Sequence, residues 1–130
     1  MQQGVHILTL RERPRYDGSQ IEALKQQLGG PAAEDLVCRA AEELSLRISA
    51  LERFHAAGDD IGVRKTARGL TGIAYQIGLH GVSDVASDVE HCAAREGLAA
   101  HVAQAATLAR LVRVAETSLM KIWDIGEEVP

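Results

Sequence analysis

Glycine and proline interrupt this chain of 130 residues at Gly29, Gly30 and Pro31, and again at Gly58 and Gly97. The stretches 32–57, 82–96 and 98–125 contain neither residue. Their apolar residues recur three and four positions apart, which is the spacing of an α-helix with one apolar side. Such helices bury their apolar sides by packing against each other. The chain is therefore predicted to be all-α.

The spacing predicts a short helix from an N-capping Ser19 to Leu28 and four longer helices. The longer helices are predicted from Pro31 to about 57, from about 61 to 80, over Val82–Glu96, and from Leu98 to about Asp124. Short connections between long amphipathic helices favour an antiparallel four-helix bundle, here led by a short helix. In the last helix the predicted core positions are Val102, Ala105, Leu108, Val112, Leu119 and either Ile122 or Trp123. We expect one domain over residues 19–130, preceded by an N-terminal arm over residues 1–18. The sequence of this arm is equally compatible with a strand, a packed arm and a disordered tail.

Composition excludes several classes of function. The net charge of −4 and the dispersed basic residues argue against nucleic-acid binding. No apolar run is long enough for a membrane span, and the first ten residues do not resemble a signal peptide, so a cytoplasmic protein is expected. Cys38 and Cys92 form neither a disulfide framework nor a zinc motif, and we expect no cofactor. No catalytic constellation comes together on the predicted helices, so the chain is not expected to be an enzyme.

The third predicted helix has an unusual outward side. Val63, Ala67, Leu70 and Ala74 mark its core side at about 100° per residue. On the opposite side, four residues fall within roughly 40° of one line: Arg68, Gly72, Tyr75 and Leu79. A glycine within a helix lowers the stability of the helix by about 1 kcal/mol relative to alanine. On a solvent-facing side, the missing side chain leaves room for another molecule to approach closely. A surface of small, apolar and cationic residues is typical of a docking face. An ordinary solvent-exposed surface weakened by its glycines would explain the same residues equally well.

Residues 67–72 read Ala-Arg-Gly-Leu-Thr-Gly and are followed by Ala74 and Gly78. This run resembles the phosphoacceptor helix of the histidine-containing phosphotransfer (HPt) family, whose motif reads roughly Ala-His-x-Leu-Lys-Gly-x-Ala. The similarity covers about residues 51–97. It implies an HPt-like bundle in which Arg68 takes the place of the phosphorylated histidine and Thr71 the place of the lysine.

The resemblance implies that the chain keeps the family's docking surface but not its chemistry. Arginine stays protonated and has no lone pair with which to attack an aspartyl phosphate, so Arg68 is not a phosphate carrier. The expected role is a module of two-component signal transduction that docks a response-regulator receiver domain or a histidine kinase without phosphotransfer. The expected interaction face consists of Arg64, Lys65, Arg68, Gly69, Thr71, Gly72, Tyr75, Gln76 and Leu79.

Two alternatives remain at this point. In the first, another histidine carries phosphate instead, but His80 is turned about 120° away from Arg68. His91 lies in line with Asp84 and Asp88 on what reads as a solvated face, and three such residues are a weak metal motif. The second alternative is a structural bundle that forms a homodimer or scaffold through Tyr75 and Leu79 or through the N-terminal arm.

Overall fold

The computed structural model of the chain describes residues 18–128, with side chains described for residues 18–121. These residues form five helices and no strand, which confirms the all-α prediction. The helices are α1 (Gly18–Leu28), α2 (Gly30–Ala56), α3 (Asp60–Gln76), α4 (His80–Ala93) and α5 (Leu98–Glu128). Apart from Gly18, the predicted N-terminal arm lies outside the described residues, and the side chains of Ile122 and Trp123 also do. None of the described helices has both the length and the apolar character that crossing a membrane requires.

A glycine with positive φ stands in each of the four connections between helices: Gly29, Gly58, Gly78 and Gly97. Gly78, at φ 80°, ends α3 four residues earlier than the helix spacing predicts. The Gly78 amide donates to the carbonyl oxygen of Tyr75 at 3.1 Å, and the Leu79 amide donates to that of Ala74 at 2.9 Å. This pair of bonds is a Schellman motif, in which the left-handed residue is usually glycine. The chain therefore turns before Leu79, and α4 begins at His80.

The core is built from aliphatic side chains of α2, α3, α4 and α5. The predicted core side of α3 is confirmed, because Val63, Ala67, Leu70 and Ala74 are all fully buried. The main contacts join α2 to α3 and α5, and α4 to α3 and α5, while α1 packs on α2. With its inner side occupied in this way, α3 presents its other side to solvent.

The predicted core side of α5 is partly wrong. Val102 is 59% exposed and Ala105 is also exposed, whereas Gln104 is buried. Gln104 tolerates burial because its side chain is hydrogen bonded: it accepts from His55 Nδ1 at 2.6 Å and donates to Asp60 Oδ1 at 3.3 Å. Two further short polar side chains of α5, those of Thr107 and Ser118, are buried as well. The buried side of α5 thus combines these polar residues with apolar residues of the core, while Val102 is turned outward.

Candidate interaction surface

The outward side of α3 carries seven exposed residues, which we call the α3 surface: Ile61, Arg64, Lys65, Arg68, Gly72, Tyr75 and Gln76. Asp59 fixes the start of this helix by accepting a hydrogen bond from the Gly62 amide to Oδ1 at 2.9 Å. The buried residues of α3 lie on its opposite side. Packing of that side against α2 and α4 therefore orients the α3 surface.

Arg68 lies at the middle of the α3 surface and is held by a carboxylate of the neighbouring helix. Its Nε and Nη2 atoms lie 2.9 and 2.8 Å from Glu90 Oε2, on α4. The arginine side chain is 76% exposed, whereas that of Glu90 is 23% exposed. These two contacts hold the edge of the guanidinium group that carries Nε and Nη2, which we call its inner edge. The rest of this planar cation remains accessible from solvent.

The glycines of α3 differ in what surrounds them. At Gly72, one turn after Arg68, an added Cβ would meet no atom within 4 Å, so the position is open space beside the cation. We call this gap in the row of side chains the notch. At Gly69 a Cβ would collide with Nη1 of Arg47, a residue of α2 that is itself paired with Glu43. Gly69 is half-buried and serves the α2–α3 contact, which places it at the edge of the predicted face.

Thr71 belongs to the contact between α3 and α4 more than to the exposed surface. It is half-buried, and its Oγ1 donates to the carbonyl oxygen of Ala67 at 2.9 Å. Its own carbonyl oxygen accepts a hydrogen bond from Ser83 Oγ at 3.0 Å. No positive charge stands at this position to accompany Arg68.

Leu79 was predicted on the interaction face, and this prediction is wrong. The residue is fully buried, because the turn at Gly78 takes it off the line of α3 and into the core. In a Schellman motif the residue after the glycine commonly makes an apolar contact with the last turn of the helix, and Ala74 at the matching position is also fully buried. Tyr75 is 59% exposed, as predicted, and its ring lies 5.0 Å from the ring of His80.

Sequence reasoning missed two residues at this surface. Ile61 is 58% exposed and precedes Arg68 by seven residues, or two helical turns, so the same helical phase would have found it. Glu90 follows Arg68 by 22 residues on another helix, and no local pattern indicates their pairing.

Among residues 18–121, the histidines and acidic residues outside α3 do not come together as a metal site. His91, Asp84 and Asp88 are exposed on α4, and the side chains described for residues 18–121 include no group of three metal-binding residues. His55 and His101 stack with ring centroids 4.3 Å apart, which gives His101 a partner that the sequence did not predict. Cys38 and Cys92 are both free thiols.

No protein-family model matches this chain, and no curated protein or solved structure matches it either.

Proposed function

We propose that this protein is an HPt-like module of two-component signal transduction, in the form of an antiparallel four-helix bundle, that docks a receiver domain or a histidine kinase without carrying phosphate. The observation that carries the proposal is the exposure of Arg68 at the centre of the α3 surface, next to the open notch at Gly72. The residues around it supply the apolar and cationic groups typical of protein interfaces. The ring of contacts that joins α2, α3, α4 and α5 supports the bundle.

The chemistry of Arg68 supports docking rather than transfer. A phosphate carrier at this position needs a nitrogen that is free of its proton near neutral pH, and a guanidinium group has none. Its hydrogen bonds to Glu90 hold the guanidinium group at the surface. The half-buried hydroxyl of Thr71 adds no cation to balance a phosphate.

In the proposed mode of docking, Arg68 binds a second carboxylate while its contacts to Glu90 stay in place. A receiver domain presents a cluster of acidic side chains, and the outer edge of the Arg68 guanidinium group pairs with one of them. Arginine suits this role because its planar fork binds carboxylates in a bidentate manner. The notch at Gly72 lets the partner's backbone approach, while Ile61 and Tyr75 supply apolar contacts at the two ends of the surface.

Isothermal titration calorimetry against a panel of receiver domains tests the proposal. We expect Arg68→Glu to abolish the binding seen with the wild-type protein, because it reverses the charge that meets the acidic cluster. Gly72→Leu fills the notch and should weaken binding at least tenfold. The matched control is Arg39→Glu, since Arg39 is a 77% exposed arginine of α2 that also pairs with a carboxylate, that of Asp35. Binding that tolerates both α3 substitutions as well as it tolerates Arg39→Glu would contradict the proposal.

A further inference from the structure

A second exposed surface runs along α5, on the side opposite its buried residues. Leu98 is 79% exposed and Val102 is 59% exposed, and Ala105 and Ala109 are exposed as well. Val112 lies at the edge of this surface, half-buried and packed against the core, and Glu116 is exposed. We call these six residues the α5 seam: Leu98, Val102, Ala105, Ala109, Val112 and Glu116.

The spacing within the α5 seam is regular. Successive members are four, three, four, three and four residues apart, which is the alternation of the contact positions in a coiled coil. Over Leu98–Val112 every contact position is apolar, and the seam extends for about 21 Å at 1.5 Å per residue. The inner side of the same helix combines apolar residues of the core with buried Gln104, Thr107 and Ser118, so the apolar residues of the seam are additional to those that the fold itself buries. This arrangement favours a partner helix over exposure to water.

We propose that the α5 seam is the two-fold interface of a homodimer, in which α5 packs antiparallel against α5 of a second copy. The small side chains of Ala105 and Ala109 lie at its centre and let the two helices approach closely. The spacing of the α5 seam is the same when it is read in either direction along the helix. Two antiparallel copies can therefore match position for position, as a two-fold interface requires. This interface is separate from the α3 surface, so it leaves that surface open.

The charge at Glu116 decides the direction of packing. In a parallel pair, Glu116 of one copy would lie against Glu116 of the other, and like charges at a contact position are destabilising. In an antiparallel pair centred between Ala105 and Ala109, Glu116 lies beside Leu98 of the second copy. That residue begins α5, where the unpaired amide groups and the helix dipole favour an anion. The two exposed residues before Gly97, Arg95 and Glu96, carry opposite charges, so the attraction at this end comes from the start of the helix itself.

Sedimentation equilibrium of the full chain tests the proposal. We expect a mass of twice 14.0 kDa for the wild-type protein. Ala105→Glu and Ala109→Glu should each weaken the dimer more than tenfold, because they bury a carboxylate against the second copy. The matched control is Ala103→Glu, the same change at an exposed alanine of α5 that lies off the seam. Circular dichroism confirms that each variant is folded.

A change at Glu116 tests the direction of packing. Glu116→Gln should weaken an antiparallel dimer several-fold, because it removes the attraction to the partner's helix start, whereas it would strengthen a parallel one. A monomeric wild-type protein would overturn the proposal, as would a dimer that Ala103→Glu disrupts as strongly as the two seam variants do. A dimer strengthened by Glu116→Gln would overturn the antiparallel arrangement.

Discussion

The ion pair between Arg68 and Glu90 should contribute little to the stability of the fold. Its N–O distances of 2.8 and 2.9 Å are short, but the arginine side chain is 76% exposed. Two unit charges about 4 Å apart in water attract by roughly 1 kcal/mol, and ordering a long arginine side chain offsets part of that gain. Measured exposed pairs contribute about 0.2–1 kcal/mol. We expect a coupling energy within that range.

A double-mutant cycle measures this coupling. Arg68→Ala, Glu90→Ala and the double variant are unfolded in urea, and the free energy of unfolding is followed by far-UV circular dichroism. The exposed pair of Arg39 and Asp35, at 3.1 Å on α2, is the matched control and should give about 0.3–0.5 kcal/mol. Added salt should reduce both couplings, since both pairs lie at the surface.

A strong coupling between Arg68 and Glu90 would contradict this estimate. A coupling energy of about 2 kcal/mol or more between Arg68 and Glu90 exceeds the range of exposed pairs. That result would make Arg68 a structural tie between α3 and α4, and its place on the α3 surface would then need no binding partner to explain it. A coupling within the predicted range, together with loss of receiver binding in Arg68→Ala, would show that Arg68 serves binding rather than the stability of the fold.

Three further predictions concern α3 and its ends. Arg68→His combined with Thr71→Lys should accept acid-labile, base-stable label from a phosphorylated receiver domain, whereas the wild-type protein should not. Asp59→Ala should lower the free energy of unfolding by about 1 kcal/mol in a urea titration, because it removes the carboxylate that caps the Gly62 amide. Leu79→Ala should lower the free energy of unfolding by about 2–5 kcal/mol in the same assay, because it empties a fully buried site.

Each of these predictions has its own control. Phosphate label on the wild-type protein would contradict the claim that Arg68 prevents phosphotransfer. The same claim would be contradicted if the variant with both Arg68→His and Thr71→Lys bound the receiver domain without taking label. Asp59→Asn keeps a capping oxygen and should stay close to wild type, so an equal loss in both variants would show that the cap is not the cause. For Leu79, the matched change is Leu46→Ala at a 66% exposed site, where a change within about 0.5 kcal/mol is expected.

Local rules of helix formation predicted α3 well as far as its last turn. Val63 and Leu70 lie on the buried side because helical phase depends only on spacing, and Tyr75 is exposed for the same reason. The same phase fails at Leu79, because it assumes a helix that continues through Gly78. In the structure, the positive φ of Gly78 and the hydrogen bond from the Leu79 amide to the carbonyl oxygen of Ala74 terminate the helix before Leu79.

Contacts between distant residues account for what the sequence did not predict. Gln104 reads as a solvent-facing residue, and its burial depends on His55 and Asp60, which are 49 and 44 residues away. The apolar spacing of α5 was accordingly assigned to the wrong side at Val102. The bond between Arg68 and Glu90 is another contact between helices that no local spacing encodes.

The central claim is that the α3 surface docks a receiver domain, and chemical-shift mapping tests it most directly. An ¹⁵N-labelled sample of the full chain is titrated with an unlabelled receiver domain that binds it in the calorimetric panel. We predict that the largest amide shifts fall on α3 around Arg68 and Gly72, and that Arg68→Glu abolishes them while Arg39→Glu does not. Shifts concentrated on α5 or α1, with α3 unchanged, would contradict the claim.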